Sequence, residues 1–347
     1  MAADSYFHWL TSQTPTKWWH DSSDPEEISF GLEHMATGAT TNPVLIYASL
    51  TNRPEKWASK LSEMPSDGNS QSRTEYMVKT VVTNAAKAFL SEYEKTNGDS
   101  GYVCAQVDPA MAANRDEMME MAQRFYKWAP NIAVKLPATS AGLDVLEECI
   151  AQGITVTATV SFTVPQVIAV SERHKKGIER AKKNGKKPGK CFAVIMIGRI
   201  DGYLGEVAQD QKACVSEADI RQAGLAITKR AYSIYKKQGY ETTLMVAALR
   251  GTYHMEQLAG ADLTMSIFPA YQKMLLKPGI PRQIGIDEPI APEVIRKLET
   301  IPEFVRAYEP DGLKPEEFIT FGVTQKTLSQ FSSAGWALID SLKFNGR

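Results

Sequence analysis

Short apolar runs alternate with longer amphipathic segments along almost the whole of this 347-residue chain, and no other feature limits its fold so strongly. Runs of four to eight apolar residues bounded by turn formers read as strands buried on both faces of a parallel sheet; the segments between them carry helical periodicity. Strands are expected over residues 16–21, 38–43, 102–108, 132–136, 155–162, 191–200, 244–249 and 262–268. A short amphipathic start over 5–10 precedes them, and Asp24-Pro25 opens the first intervening helix with a cap and a proline at its first position. Further helices are expected over 44–61, 73–96, 110–128, 141–151, 165–180, 216–237 and 253–259. The loop over 65–72 is rich in turn formers, and Ser216 with Asp219 forms a capping pair. Eight strand–helix units and the absence of a GxGxxG turn argue for the α/β class and a closed (β/α)8 TIM barrel over an open doubly wound sheet. One domain spanning 1–347 is expected, with the barrel over about 16–285. Extra helices flank it at both ends, and the C-terminal extension over 286–347 presents Leu328, Phe331, Trp336, Leu338 and Leu342 for packing across a barrel face or against a second copy of the chain.

The fourth strand holds the least expected residue. In NIAVKLPAT, residues 131–139, Lys135 sits inside an apolar run bounded by Pro130-Asn131 and Pro137. Desolvation lowers the pKa of a buried lysine, and a neutral amine is a nucleophile toward carbonyls. The alternative is structural: the stem packs and the ammonium reaches out at the strand end.

Net charge narrows the function classes. At -1 the chain lacks the footprint of a nucleic-acid binder, although KKNGKKPGK, residues 182–190, ends a basic stretch over 175–190 that is either a solvated face or a contact for an anionic partner. The start has no cationic segment followed by an apolar core, and no run approaches a bilayer span, so a soluble, cytoplasmic protein with no membrane partner is expected. Cys104, Cys149, Cys191 and Cys214 show no metal-ligand spacing, so neither a disulfide framework nor a metal site is indicated; no cofactor motif is present.

Barrel sites form at the carboxyl ends of the strands. The polar residues expected there, Asp21, Asn42, Gln106, Lys135, Thr159, Arg199 and Arg250, therefore form one candidate site, although each alone also has a structural use as a helix cap or surface ion pair.

The blocks DSSDPEEI, GATTNPVL, AVKLPAT, TVSFTVPQ, MIGRIDGY and AALRGTYHMEQLAGADLTMS occur in an order that resembles the transaldolase family, which includes the bacterial fructose-6-phosphate aldolases. The closing TQKTLSQFSSAGWALIDSL is similar to the family's last helix. The resemblance implies a class I aldolase barrel of carbohydrate metabolism, in the pentose phosphate pathway, with a small sugar phosphate as substrate. It implies that Lys135 forms the Schiff base, Asp21 handles the proton of the 4-hydroxyl, Asn42 holds the donor's hydroxyl and Thr159 holds the catalytic water. Arg199 and Arg250 match its phosphate-binding arginines.

This chain also departs from that pattern. Gln106 stands where transaldolases place a glutamate, as in the fructose-6-phosphate aldolases, and Met196 where those aldolases place a tyrosine. Val194 and Ala248 replace serines, and Thr157 replaces an asparagine, so the donor pocket, counting Thr157, Met196 and Ala248 among its substrate contacts, is less polar than the family's. A glutamine can hold a water but cannot relay a proton by ionising. The expected reaction is transfer of a dihydroxyacetone unit from a ketose phosphate to an aldehyde acceptor through Lys135. Its alternatives are an aldolase that releases the unit or acts on an unusual or unphosphorylated sugar, and a barrel that binds sugar without turnover.

Overall fold

A computed structural model of the chain describes residues 5–64 and 70–343. Most of the loop expected over 65–72 lies outside them. Eight parallel strands close into a barrel in sequence order: β1 (Lys17–His20), β2 (Gly38–Ala39), β3 (Tyr102–Gln106), β4 (Ile132–Pro137), β5 (Val156–Thr159), β6 (Cys191–Met196), β7 (Thr243–Ala247) and β8 (Thr264–Ile267). β8 pairs back onto β1 from Lys17 opposite Thr264 to His20 opposite Ile267, which makes the closure. The expected (β/α)8 architecture is what the chain forms.

Among the helices that bear on the site are α1 (Pro43–Asn52), α2 (Ile197–Asp210), α3 (Ala223–Gln238), α4 (Thr252–Leu258) and α5 (Gly322–Phe331). Caps predicted from local sequence are in place. Asp24 accepts from the backbone N–H of Glu26 and Glu27, and Ser216 and Asp219 form a reciprocal capping box, although it starts only a short helix, Glu217–Ile220, so the segment expected over 216–237 is two helices.

Several boundaries differ from expectation, each for a local reason. The segment over 44–61 is two helices because Pro54 removes a donor and holds Arg53 outside the helical region, at φ -138° and ψ 58°. The segment over 110–128 becomes a short 3-10 turn, Pro109–Met111, and a helix, Arg115–Phe125, restarted by Asn114. Strand six stops at Met196, and the apolar run to Ile200 belongs instead to α2, where Ile197, Ile200 and Leu204 recur at helical spacing and are buried. Arg199 therefore stands in the first turn of a helix and not at a strand end. Strands five and seven are also shorter than expected, and the next residues, Val160 and Ala248, take left-handed conformations at φ 52° and 56°.

The barrel interior is layered. Trp19, Tyr102 and Phe192, from β1, β3 and β6, meet across it with ring centroids 4.7 Å (Trp19–Phe192) and 5.9 Å (Tyr102–Phe192) apart. These rings plug the amino-terminal end. Side chains alternate along a strand, so the positions two residues on, Asp21, Cys104 and Val194, also face inward and build the floor of the opposite end. The basic stretch over 175–190 lies away from that end: a helix Val164–Lys183 carries it back toward the start of β6, where Lys190 bonds Asp99 at 2.5 Å. It cannot cover the mouth. Among the described residues no helix is long and apolar enough to cross a membrane.

Candidate active site

A cleft of ≈ 360 Å³ opens at the carboxyl ends of the strands, lined by polar residues including Asp21, Asn42, Lys135 and Thr159 and by Arg199 and Arg250 at its rim. Lys135 is held at its base. Its β4 register sets it beside Gln106 of β3 and Thr157 of β5, and it is 6% exposed. Nζ donates to the carbonyl of Thr41 at 2.9 Å, which fixes the direction of the amine. Burial drives its pKa down from the ordinary lysine value; Cys104 and Asp21 oppose this and Arg199 assists it. The Cys104 thiol is itself pushed up by burial and stays neutral at neutral pH, so the counter-charge that matters is Asp21.

Asp21 lies just past the end of β1. Its Oδ1 accepts from the Thr40 hydroxyl at 2.7 Å, and that hydroxyl is 2.6 Å from the one on Ser266. Burial raises the Asp21 pKa, while the Thr40 and Ser266 hydroxyls and the charges of Lys135 and Arg199 pull it back. Burial thus leaves this carboxylate more basic than one in water, the direction that suits a proton acceptor.

Asn42 caps α1: its Oδ1 accepts from Val44 and Leu45 N–H at 3.0 and 3.1 Å, which leaves its amide donors for a ligand. Thr159 lies against Met196, with Oγ1 4.0 Å from the sulfur. Val194, Met196, Met245, Ala247 and Ala248 make the β6–β7 wall of the cleft apolar.

At the rim, Arg199 is half-buried, donates to Gln330 Oε1 at 2.6 Å, and lies over the Phe331 ring, 5.1 Å from its centroid. Burial and the neighbouring positive charge of Arg250 push its pKa down to about 10. Two neighbouring cations, one of them partly desolvated, give this rim the charge and donors that suit an anion.

The expected residues do not all meet. Thr157 lies one layer below the cleft, where the Cys104 thiol is 3.5 Å from its hydroxyl, and Gln106 is not part of the lining either. Gln106 is 2% exposed, and its Oε1 has no hydrogen-bond partner among the described residues. Others were missed. Thr40 and Ser266 could have been found from strand parity, since both fall on inward positions beside Asp21. Gln330 reaches the rim from α5 with no local signal, whereas Phe331, expected to pack across a barrel face or against a second copy, lies across this barrel mouth. A second cleft, of ≈ 290 Å³, opens at the starts of β7 and β8 among Tyr232, Tyr240 and Asp262, at the other end of the barrel.

Fold and site together define a (β/α)8 barrel whose carboxyl end holds a buried lysine, a shielded carboxylate and an arginine pair. The chain belongs to the transaldolase/fructose-6-phosphate aldolase family, whose model matches residues 18–309. It is similar to a transaldolase of Mycolicibacterium smegmatis, 30% identical over 212 residues that cover 58% of this chain and 55% of that protein. A transaldolase of Kocuria rhizophila is 28% identical over 230 residues, 63% of this chain and 62% of that protein. One of Mycolicibacterium paratuberculosis is 29% identical over 241 residues, 66% and 64%. The matches thus span between about half and two thirds of these curated relatives.

Proposed function

We propose that the protein is a class I aldolase of the transaldolase type, acting on a ketose phosphate through a Schiff base on Lys135. The observation that carries this reading is the amine of Lys135, buried, lowered in pKa and aimed by Thr41 at the base of the same cleft that holds Asp21. Neutral Nζ attacks the C2 carbonyl of the ketose, and the carbinolamine loses water to give an iminium. Asp21 takes the proton of the 4-hydroxyl, the C3–C4 bond breaks, and its electron pair enters the iminium to leave an enamine and a free aldehyde. Attack of the enamine on an acceptor aldehyde, with the proton returned by Asp21 to the new hydroxyl, gives a second iminium, and its hydrolysis frees the product ketose and the amine. Protonation and hydrolysis of the enamine would instead release dihydroxyacetone. Arg199 and Arg250 are suited to hold the terminal phosphate, and Thr159 to hold the water exchanged at the imine.

A second reading, release in place of transfer, draws on one observation: Asp21 is the single carboxylate among the lining residues, and Gln106 cannot stand in as a proton relay. The test of the main reading is borohydride trapping over a panel of ketoses, read by mass spectrometry. Wild type should carry one reduced adduct on Lys135, and Lys135→Met, which keeps a similar stem in the barrel, should carry none while melting at a similar temperature. An adduct on a different lysine would sink the assignment.

A further inference from the structure

Behind the two rim arginines, away from the cleft, lies a buried polar pair that the proposed chemistry does not use. His254 is 0% and Asp201 6% exposed, and their Nε2 and Oδ2 are 3.2 Å apart, though not aligned as a hydrogen bond. Asp201 stands two residues after Arg199 on α2, and its Oδ1 accepts from the N–H of Gly224 on α3 at 2.7 Å. His254 stands on α4, four residues after Arg250, and its Nδ1 accepts from the backbone N–H of Arg250 at 3.3 Å. That bond assigns the tautomer: Nδ1 is the acceptor, so the ring proton is on Nε2, facing Asp201. The contact also resembles half of a capping box, with the third residue of a helix reaching back to the chain before it. Two further contacts hold the arginines in step. Gly198 donates to the carbonyl of Ala248 at 3.2 Å, and the stem of Arg250 crosses Gly198 so closely that a Cβ there would sit 2.3 Å from Arg250 Cγ.

We propose that His254 is a positioning residue for the anion site: seated against Asp201 of α2, its Nδ1 holds the backbone N–H of Arg250 so that the two guanidinium groups converge. An apolar pair of similar volume would fill the same space without the desolvation cost of a carboxylate, which is why a buried ionisable pair points to geometry and not to packing alone. The proposal rests on the reading of Arg199 and Arg250 as an anion receptor.

The test is a titration of inorganic phosphate into wild type, Arg250→Ala, His254→Leu, His254→Asn and His254→Gln, each also melted thermally. The oxygen of Asn can occupy the place of Nδ1 and accept from Arg250 N–H, whereas Gln reaches only the place of Nε2. Expected are losses of phosphate affinity of about five- to tenfold for Leu and Gln, the worth of one hydrogen bond, with Asn within about twofold of wild type. If Leu does not fold, the contrast between Asn and Gln decides. Affinity kept by all three His254 variants but lost in Arg250→Ala would overturn the positioning role and leave the anion reading standing. Equal losses in all three would show a role in packing alone and overturn it too. No difference between wild type and Arg250→Ala would remove the anion reading and the proposal with it.

Discussion

Opposing neighbours set the charge on Lys135. Burial and Arg199 favour the neutral amine, Asp21 the ammonium. Removing Arg199 should therefore raise the lysine's pKa, so the rising limb of a kcat–pH profile should move to higher pH in Arg199→Gln; a profile that stays in place would show that Arg199 does not act on the amine. The role proposed for Arg250 is separable. Charge-assisted hydrogen bonds contribute about 1.5–3 kcal/mol each, so Arg250→Ala should lower kcat/KM for a phosphorylated ketose by roughly ten- to a hundredfold and barely change it for the unphosphorylated sugar. Equal losses on the two would mean that Arg250 supports the site's structure and reads no phosphate. Asp21, Asn42, Lys135 and Arg250 were legible as candidates because each sits at or just past a strand whose boundaries short apolar runs betray. Thr157 was misplaced because strand parity selects a face of the strand but not a depth in the barrel.

At the scale of elements, two of the strands that feed the cleft end in strained backbone. Ala248 at φ 56° and Val160 at φ 52° occupy a region that costs a residue bearing a Cβ about 1–2 kcal/mol. Ala248 is a cleft residue, and its carbonyl receives the N–H of Gly198 at 3.2 Å. The left-handed turn aims that carbonyl at α2, so the strain is tied to the placement of Arg199 and Arg250. Ala248→Gly relieves the steric term but frees the unfolded chain, which costs about 0.5–1 kcal/mol, so stability to urea should stay level or rise by about 1 kcal/mol. A fall of 1 kcal/mol or more would mean that the methyl group's packing outweighs the strain.

Across the whole molecule the C-terminal segment completes the mouth. α5 brings Gln330 and Phe331 to Arg199, and the turn that follows packs so closely on α1 that a Cβ on Gly335 would lie 2.6 Å from Pro43 Cβ. The barrel also buries neutral histidines. His20 is held at a pKa of about 4 by burial, against 6.5 in the unfolded chain, even though Gln272 bonds it and Asp24 favours its charged form; His174 is lowered in the same direction. Below pH 6.5 the unfolded state binds the proton that folded His20 refuses, so stability should fall as pH drops from about 6.5 toward 4, by an amount on the order of 3 kcal/mol from this group. Urea melts across that range should show the slope in wild type and a shallower one in His20→Gln; identical slopes would place the acid sensitivity elsewhere.

Period and punctuation along the chain were enough to determine the barrel, its order of strands and the lysine at its heart, because burial on both faces leaves short apolar runs between helices few other ways to fold. Helix starts at Asp24 and Ser216 were readable for the same reason: a cap is a contact within three residues. Tertiary structure alone decided where β6 stops and α2 begins, since an apolar run suits either element until its neighbours are in place. It alone carried Gln330 and Phe331 across the mouth to Arg199, and it alone set His254 against Asp201. Those contacts join residues far apart in the chain, and their energy exists only once the barrel has closed.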